Sequence, residues 1–170
     1  MEMVQRLLDQ CNDFNLKVLL KKLSSYQEYF HFLSMDQDEY QNFLRVATNI
    51  PEQVKSWYKL FNGGYLFDTT FLSTAQVDWD IPLKLLTFSM LDDDSLRKKI
   101  ELPKRFIVFA ISSFGDIYCF SSDGSNEIIQ WSVQEHTVVE KWSNFALWLN
   151  QEISTAIELI GEDVLMPLGI

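Results

Sequence analysis

The sequence predicts an α+β fold, and three observations carry that expectation. Apolar residues repeat with helical period over the first 64 positions, change to strand-like runs from Tyr65 onward, and return to helical period after Ser143. The strands between Phe106 and Trp142 lie close together with turn chemistry between them, which describes an antiparallel meander. At 170 residues and 47% hydrophobic content, the chain can bury the core of one domain without disulfide or metal staples.

Each element has its own warrant. Val4, Leu7, Leu8 and Cys11 fall on one face of a first helix. Leu16, Leu19, Leu20 and Leu23 do the same in a second, whose stripe extends through Tyr26 or Gln27 to Phe30. Asn12 to Asn15 supply break and cap residues between the two. Asp36 opens a third helix with Glu39 placed as in a capping box, followed by Tyr40, Phe43, Leu44 and Ala47. Pro51 fits the first turn of a fourth, which buries Val54, Trp57, Tyr58 and Phe61 and ends at Asn62-Gly63-Gly64.

Tyr65 to Leu72 is aromatic and Thr-rich, the composition of a strand. Ser73 to Pro103 is irregular, with a short helix over Asp92–Lys99 whose acids lead and whose bases trail, as the helix dipole favours. The pairs Asp93–Arg97 and Asp94–Lys98 add i, i+4 support, and this structural reading is preferred to a metal site or a basic patch. Phe106–Ile111 is a continuous apolar run, as in a strand buried on both faces. Ile117 and Cys119 alternate with Tyr118 and Phe120 in the next strand, and Ser121 to Asn126 form a turn. Ile129, Trp131 and Val133 alternate with Gln130 and Ser132, and a last strand covers Thr137–Trp142. Ser143 caps a final helix whose stripe runs from Phe145 to Ile160, with Gly161 as its end, and the apolar tail Val164–Ile170 docks on the body.

Charge excludes several function classes. Fourteen Lys and Arg against 24 Asp and Glu give a net −10, which disfavours nucleic acid and anionic membrane as partners. From Phe106 onward nine acids face the single base Lys141, a net −8 that either keeps the chain dispersed or steers a basic partner. The start Met1-Glu2-Met3 has no basic leader, and the longest apolar run, six residues, falls far below the ~20 that span a bilayer. With Cys11 and Cys119 read as free buried thiols, the expectation is a soluble cytoplasmic protein.

Catalytic signatures are missing. His31 and His136 stand at no metal-ligand spacing with either cysteine, and neither a nucleophile elbow nor a His-Glu-x-x-His motif occurs. Asn62-Gly63-Gly64 lacks the Lys-Ser/Thr of a phosphate loop, and Ser121 to Asn126 lacks EF-hand oxygen spacing. The expectation is no enzyme, no cofactor and no metal. Among the tryptophans, Trp57, Trp142 and Trp148 fit core stripes, while Trp79 and Trp131 are candidates for partner contact.

One ordered set of motifs goes further. Ile50-Pro51-Glu52, Trp57 through Gly64, Phe106 through Ala110 and Phe114-Gly115-Asp116 followed by Ile117 to Phe120 resemble, in that order, the SUKH superfamily of Smi/Knr-type proteins. Ile128 to Trp131 and Ser143 to Leu149 complete the series, so that the resemblance covers Asp36 to Ile157. The chain departs from the family in carrying Phe114 where Gly is frequent, and residues 1–35 read as an added helical portion of the single domain. The resemblance implies a twisted, mainly antiparallel sheet flanked by helices, with Asn62, Gly63, Gly64 and Gly115 as motif and turn positions. It implies an immunity protein that binds and neutralises a polymorphic or contact-dependent bacterial toxin, a nuclease above all; the alternative is a regulatory scaffold that binds host proteins. On that reading the contacts are Asp116, Asp123, Glu127, Glu135 and Glu140, with Trp131 as aromatic anchor and Trp79 as a further aromatic contact.

Overall fold

A computed structural model describes residues 2–46, 49–74 and 94–165. The order is α1 (Glu2–Gln10), α2 (Phe14–Leu23), a 3-10 segment (Ser24–Tyr29), β1 (Phe30–Ser34), α3 (Gln37–Val46), α4 (Glu52–Leu60), β2 (Phe61–Leu66) and β3 (Thr69–Phe71). Then follow α5 (Asp94–Lys99), β4 (Phe106–Ile111), β5 (Ile117–Ser121), β6 (Ile128–Ser132), β7 (Thr137–Trp142) and α6 (Phe145–Leu165). The seven strands form one open antiparallel sheet in sequence order, β1 to β7. With helices flanking that sheet, the fold is α+β, as the periodicity predicts.

The sheet has an apolar layer on each face. On one, α2, α4 and α6 deliver Leu16, Leu23, Trp57 and Trp148 against Phe71, Phe109 and Phe120 of the strands. The rings of Phe109 and Trp148 meet edge to face at 4.8 Å, an arrangement aromatic quadrupoles favour. On the other, Leu72, Val108, Ile117, Cys119, Ile129 and Trp131 pack with Ile100 and Leu102. This second layer explains why Phe106–Ile111 is apolar throughout: Phe109 serves the first face, Phe106 and Val108 the second. Arg97 turns inward from α5, its Nη2 donating to the Phe106 carbonyl at 2.9 Å, so this guanidinium is no part of a basic patch. Asp92 and Asp93 lie outside the described residues.

Five boundaries differ from the sequence expectation, each for a physical reason. The α2 stripe does not reach Phe30, because the backbone leaves helical geometry at Tyr26 (φ −126°, ψ 34°) and Phe30 begins β1. Phe30 and Phe32 still face the core, by strand alternation rather than helical recurrence. Helix α4 stops at Leu60, and Asn62-Gly63-Gly64 is not its cap but the body of β2. Gly64 stands opposite Phe32 of β1, where a Cβ would strike the His31 carbonyl oxygen and come within 2.8 Å of the Phe32 Cα. Gly63, at φ +81°, would bring a Cβ to 2.9 Å from the Ser73 nitrogen. Both glycines serve close backbone approach within a sheet.

The single strand expected over Tyr65–Leu72 is two, since Phe67 (φ 51°) and Asp68 turn the chain between β2 and β3. At α6 the cap is Asn144, whose Oδ1 accepts from the Leu147 amide at 3.0 Å, one residue after the expected Ser143. Gly161 does not end that helix: with no positive φ it continues within Phe145–Leu165. Asp36 does cap α3, its Oδ1 accepting from the Asp38 and Glu39 amides at 2.9 and 3.2 Å. Glu39 does not close the box but receives the Asn62 amide at 2.6 Å. Ala47 and residues 166–170 of the tail lie outside the described residues.

Candidate functional site

Strand direction sorts the candidate residues to two ends of the sheet. The β5–β6 turn carries Asp123 and Glu127 at one end; the β4–β5 and β6–β7 turns carry Asp116 and Glu135 at the other. The five acids therefore do not form one cluster. Asp123 accepts from the Ser125 amide at 3.0 Å, and that bond holds its carboxyl below the usual range. Glu127 and Glu135 are exposed, in turns pinned by the Ser125 and Ser132 hydroxyls. Glu140 is exposed on β7 and accepts from Gln151 at 3.1 Å.

The aromatic candidates fare differently. Trp131 is only 6% exposed, its indole N–H donates to the Ile100 carbonyl at 3.0 Å, and its ring packs near Phe106. The alternation that placed it on a strand also aimed it into the second apolar layer, so it is a core residue and not a surface anchor. Trp79 lies outside the described residues. Gly115, at φ +89°, forms the β4–β5 turn with open space around it, beside Phe114, which is 91% exposed. Asn62 is buried as a bracket: besides its bond to Glu39, its Oδ1 accepts from the Thr74 amide and hydroxyl at 2.7 and 2.9 Å.

Glu152 gathers two hydroxyls, and the charges of two further carboxylates act on one of them. Tyr118 donates to Glu152 Oε1 at 2.9 Å, and Thr69 donates to Glu152 Oε2 at 2.6 Å. Burial first, and then the charges of Glu152, Glu140 and Asp116, push the Tyr118 hydroxyl far above its ordinary range. Asp116 is also tied down, accepting from Gln130 Nε2 at 3.0 Å. This arrangement fastens α6 to β3 and β5 through a proton that stays in place. Among the described residues no group of three or more His, Cys, Asp or Glu side chains is arranged to hold a metal ion, and no helix is long and apolar enough to cross a membrane.

A groove of about 560 Å³ opens at the end of the sheet that carries the β2–β3 turn. Residues 27–31 line one side, Tyr65, Phe67 and Asp68 the floor, and Ala156, Leu159 and Ile160 of α6 the other wall. The Phe67 amide donates to the Tyr29 carbonyl at 2.7 Å, and the two rings stack at 5.8 Å. Glu28 sits beside the Tyr29 hydroxyl and its charge raises that group above its ordinary value. Tyr29 is 37% and Leu159 55% exposed, and Glu28 and Asp68 are exposed acids. Among the described residues that line it there is no Lys or Arg, and His31 is the one imidazole.

Sequence reasoning did not single out these positions. Glu28 and Tyr29 were hidden by the helical reading of that stretch, and Asp68 by the single strand drawn across it. A signal existed for Asp68, since an Asp after an aromatic run reads as a turn former. For Glu152 the signal was an acid four positions after Trp148, on the border of an apolar stripe.

The SMI1 / KNR4 family (SUKH-1) is matched by residues 36–151. No curated protein gives a significant match. Of the residues that line the groove, only Tyr65, Phe67 and Asp68 fall inside the family match.

Proposed function

Because this chain belongs to the SMI1 / KNR4 (SUKH-1) family, we propose that it is an immunity protein that binds a cognate bacterial toxin and neutralises it by covering a basic surface. Membership supports a role in protein interaction or immunity in general, and the family is generally non-enzymatic. The toxin, and a nuclease chemistry for it, are our own reading of the charge. A nuclease is cationic where it grips phosphates, and an acidic inhibitor can occupy that surface in a one-to-one complex.

The observation that carries this reading is the net −8 after Phe106, with Asp123, Glu127, Glu135 and Glu140 exposed. Their spread over both ends of the sheet suits long-range steering rather than a single contact, because a field sums over distributed charges. The test takes the product of the reading frame beside this gene and measures its association with this chain against ionic strength. Association should slow by at least about tenfold between low and physiological salt. A rate indifferent to salt removes steering, and absence of binding removes the proposal. Capture of several host proteins in place of one toxin would favour the regulatory scaffold.

A further inference from the structure

We propose that the groove between the 3-10 segment, the β2–β3 turn and α6 is the seat for a cationic segment of the protein partner, an Arg or Lys followed by an apolar side chain. The inference rests on the protein-binding reading above and locates it. Three observations point to this occupant. The acids Glu28 and Asp68 stand on the groove, and among the described residues that line it the one basic side chain is the imidazole of His31, with no Lys or Arg. Tyr29 and Phe67 offer stacked rings beside those acids, and an aromatic face within about 6 Å attracts a guanidinium or ammonium. Leu159 and Ile160 supply an apolar wall, with Leu159 more than half exposed, so that the groove matches the two ends of an amphipathic cation.

Position adds a reason for specificity. The groove is built largely from residues 27–31 and from α6 beyond residue 151, outside the stretch this chain shares with its family. A common scaffold with its own rim is how related binders keep different partners. The groove also faces away from Asp123 and Glu127, at the opposite end of the sheet, so its role can be separated from theirs.

The test uses the full chain, labelled with ¹⁵N, and two synthetic hexapeptides, one alternating Arg with Leu and one alternating Glu with Leu. The Arg peptide should shift the amides of Tyr29, Phe67, Asp68 and Leu159 saturably, and the Glu peptide should leave them unmoved. Glu28→Lys with Asp68→Lys should weaken the Arg peptide at least tenfold, whereas Asp123→Lys with Glu127→Lys should change it less than twofold. Shifts centred on the β5–β6 turn, equal binding of both peptides, or no saturable shift would each overturn the inference. So would binding that appears only once residues 166–170 are removed, since the occupant is then this chain's own end. The product of the neighbouring reading frame separates the two proposals. If it binds the wild-type chain and the Glu28→Lys, Asp68→Lys variant alike, the groove is refuted and the immunity reading stands. If it binds neither, the immunity reading falls while the peptides still decide the groove.

Discussion

Gly64 and Gly115 both adopt backbone angles that L side chains avoid, at φ +143° and +89°, yet they stand in opposite surroundings. At Gly64 an added methyl meets the backbone of β1; at Gly115 it meets open space. Gly64→Ala should therefore cost about 3 kcal/mol or more, since strain and backbone collision combine, and Gly115→Ala only about 1 kcal/mol. Urea unfolding of the two variants checks the order. Tyr118 makes a residue-scale prediction of another kind. Its hydroxyl titrates well above the ordinary value of 10.0 when folded, so the folded chain keeps a proton that the unfolded chain releases. The stability it provides is complete below pH 10 and is lost as pH rises beyond it. Tyr58, raised by burial, and the buried thiols of Cys119 and Cys11 act in the same direction. Tyr118→Phe should lower neutral stability by about 1–3 kcal/mol, because Glu152 loses a donor, and should flatten the alkaline fall of the urea midpoint.

Among the elements, α6 shows how local chemistry fixes a boundary. Its first turn is held by the Asn144 side chain on the Leu147 amide, and by Gln53 of α4 accepting from the Ala146 amide at 3.0 Å. Asn144→Ala should cost about 1 kcal/mol in thermal or urea unfolding, and Ser143→Ala close to nothing. The sequence showed that a cap lay here but not which of two adjacent residues performed it, because both are good cap formers and only the chain's entry angle decides. The same limit applied at Asn62-Gly63-Gly64. A Gly pair after an apolar helix reads as a stop from local propensity alone, whereas its use in β2 depends on β1, a strand obscured by a stripe that happened to recur at Phe30. Strands β4 to β7 were legible because their apolar runs and turns are local signals. The groove was not, since it joins three segments far apart in the chain, and no pattern in one window reports that meeting.

At the scale of the whole molecule, the sheet has two free edges among the described strands, and each carries an irregularity. Pairing of β1 with β2 shifts between Phe32 and Ser34, and pairing of β6 with β7 shifts between Gln130 and Trp131, while β7 presents Glu140 and Lys141. Bulges and edge charges discourage a second sheet from adding on. Replacing Glu140 and Lys141 together by Thr and Val should give a light-scattering mass that rises with concentration, against a constant mass for the parent chain. The strict sequence order of the strands also sets a timetable for folding. Each strand leaving the ribosome finds its neighbour already made: β2 to β3 and β4 through β7 close across short loops at little entropic cost, whereas β1 meets β2 only after α3 and α4, and β3 meets β4 across residues 72–105. The last long helix then reaches back across that history: Glu152 accepts from Thr69 and Tyr118, Ser154 accepts from Lys22, and the Ala146 amide donates to Gln53. A nascent chain stalled before α6 would hold a sheet whose first apolar face is covered by α2 and α4 but lacks Phe145, Trp148, Leu149 and Ile153, and emergence of the final helix completes that layer.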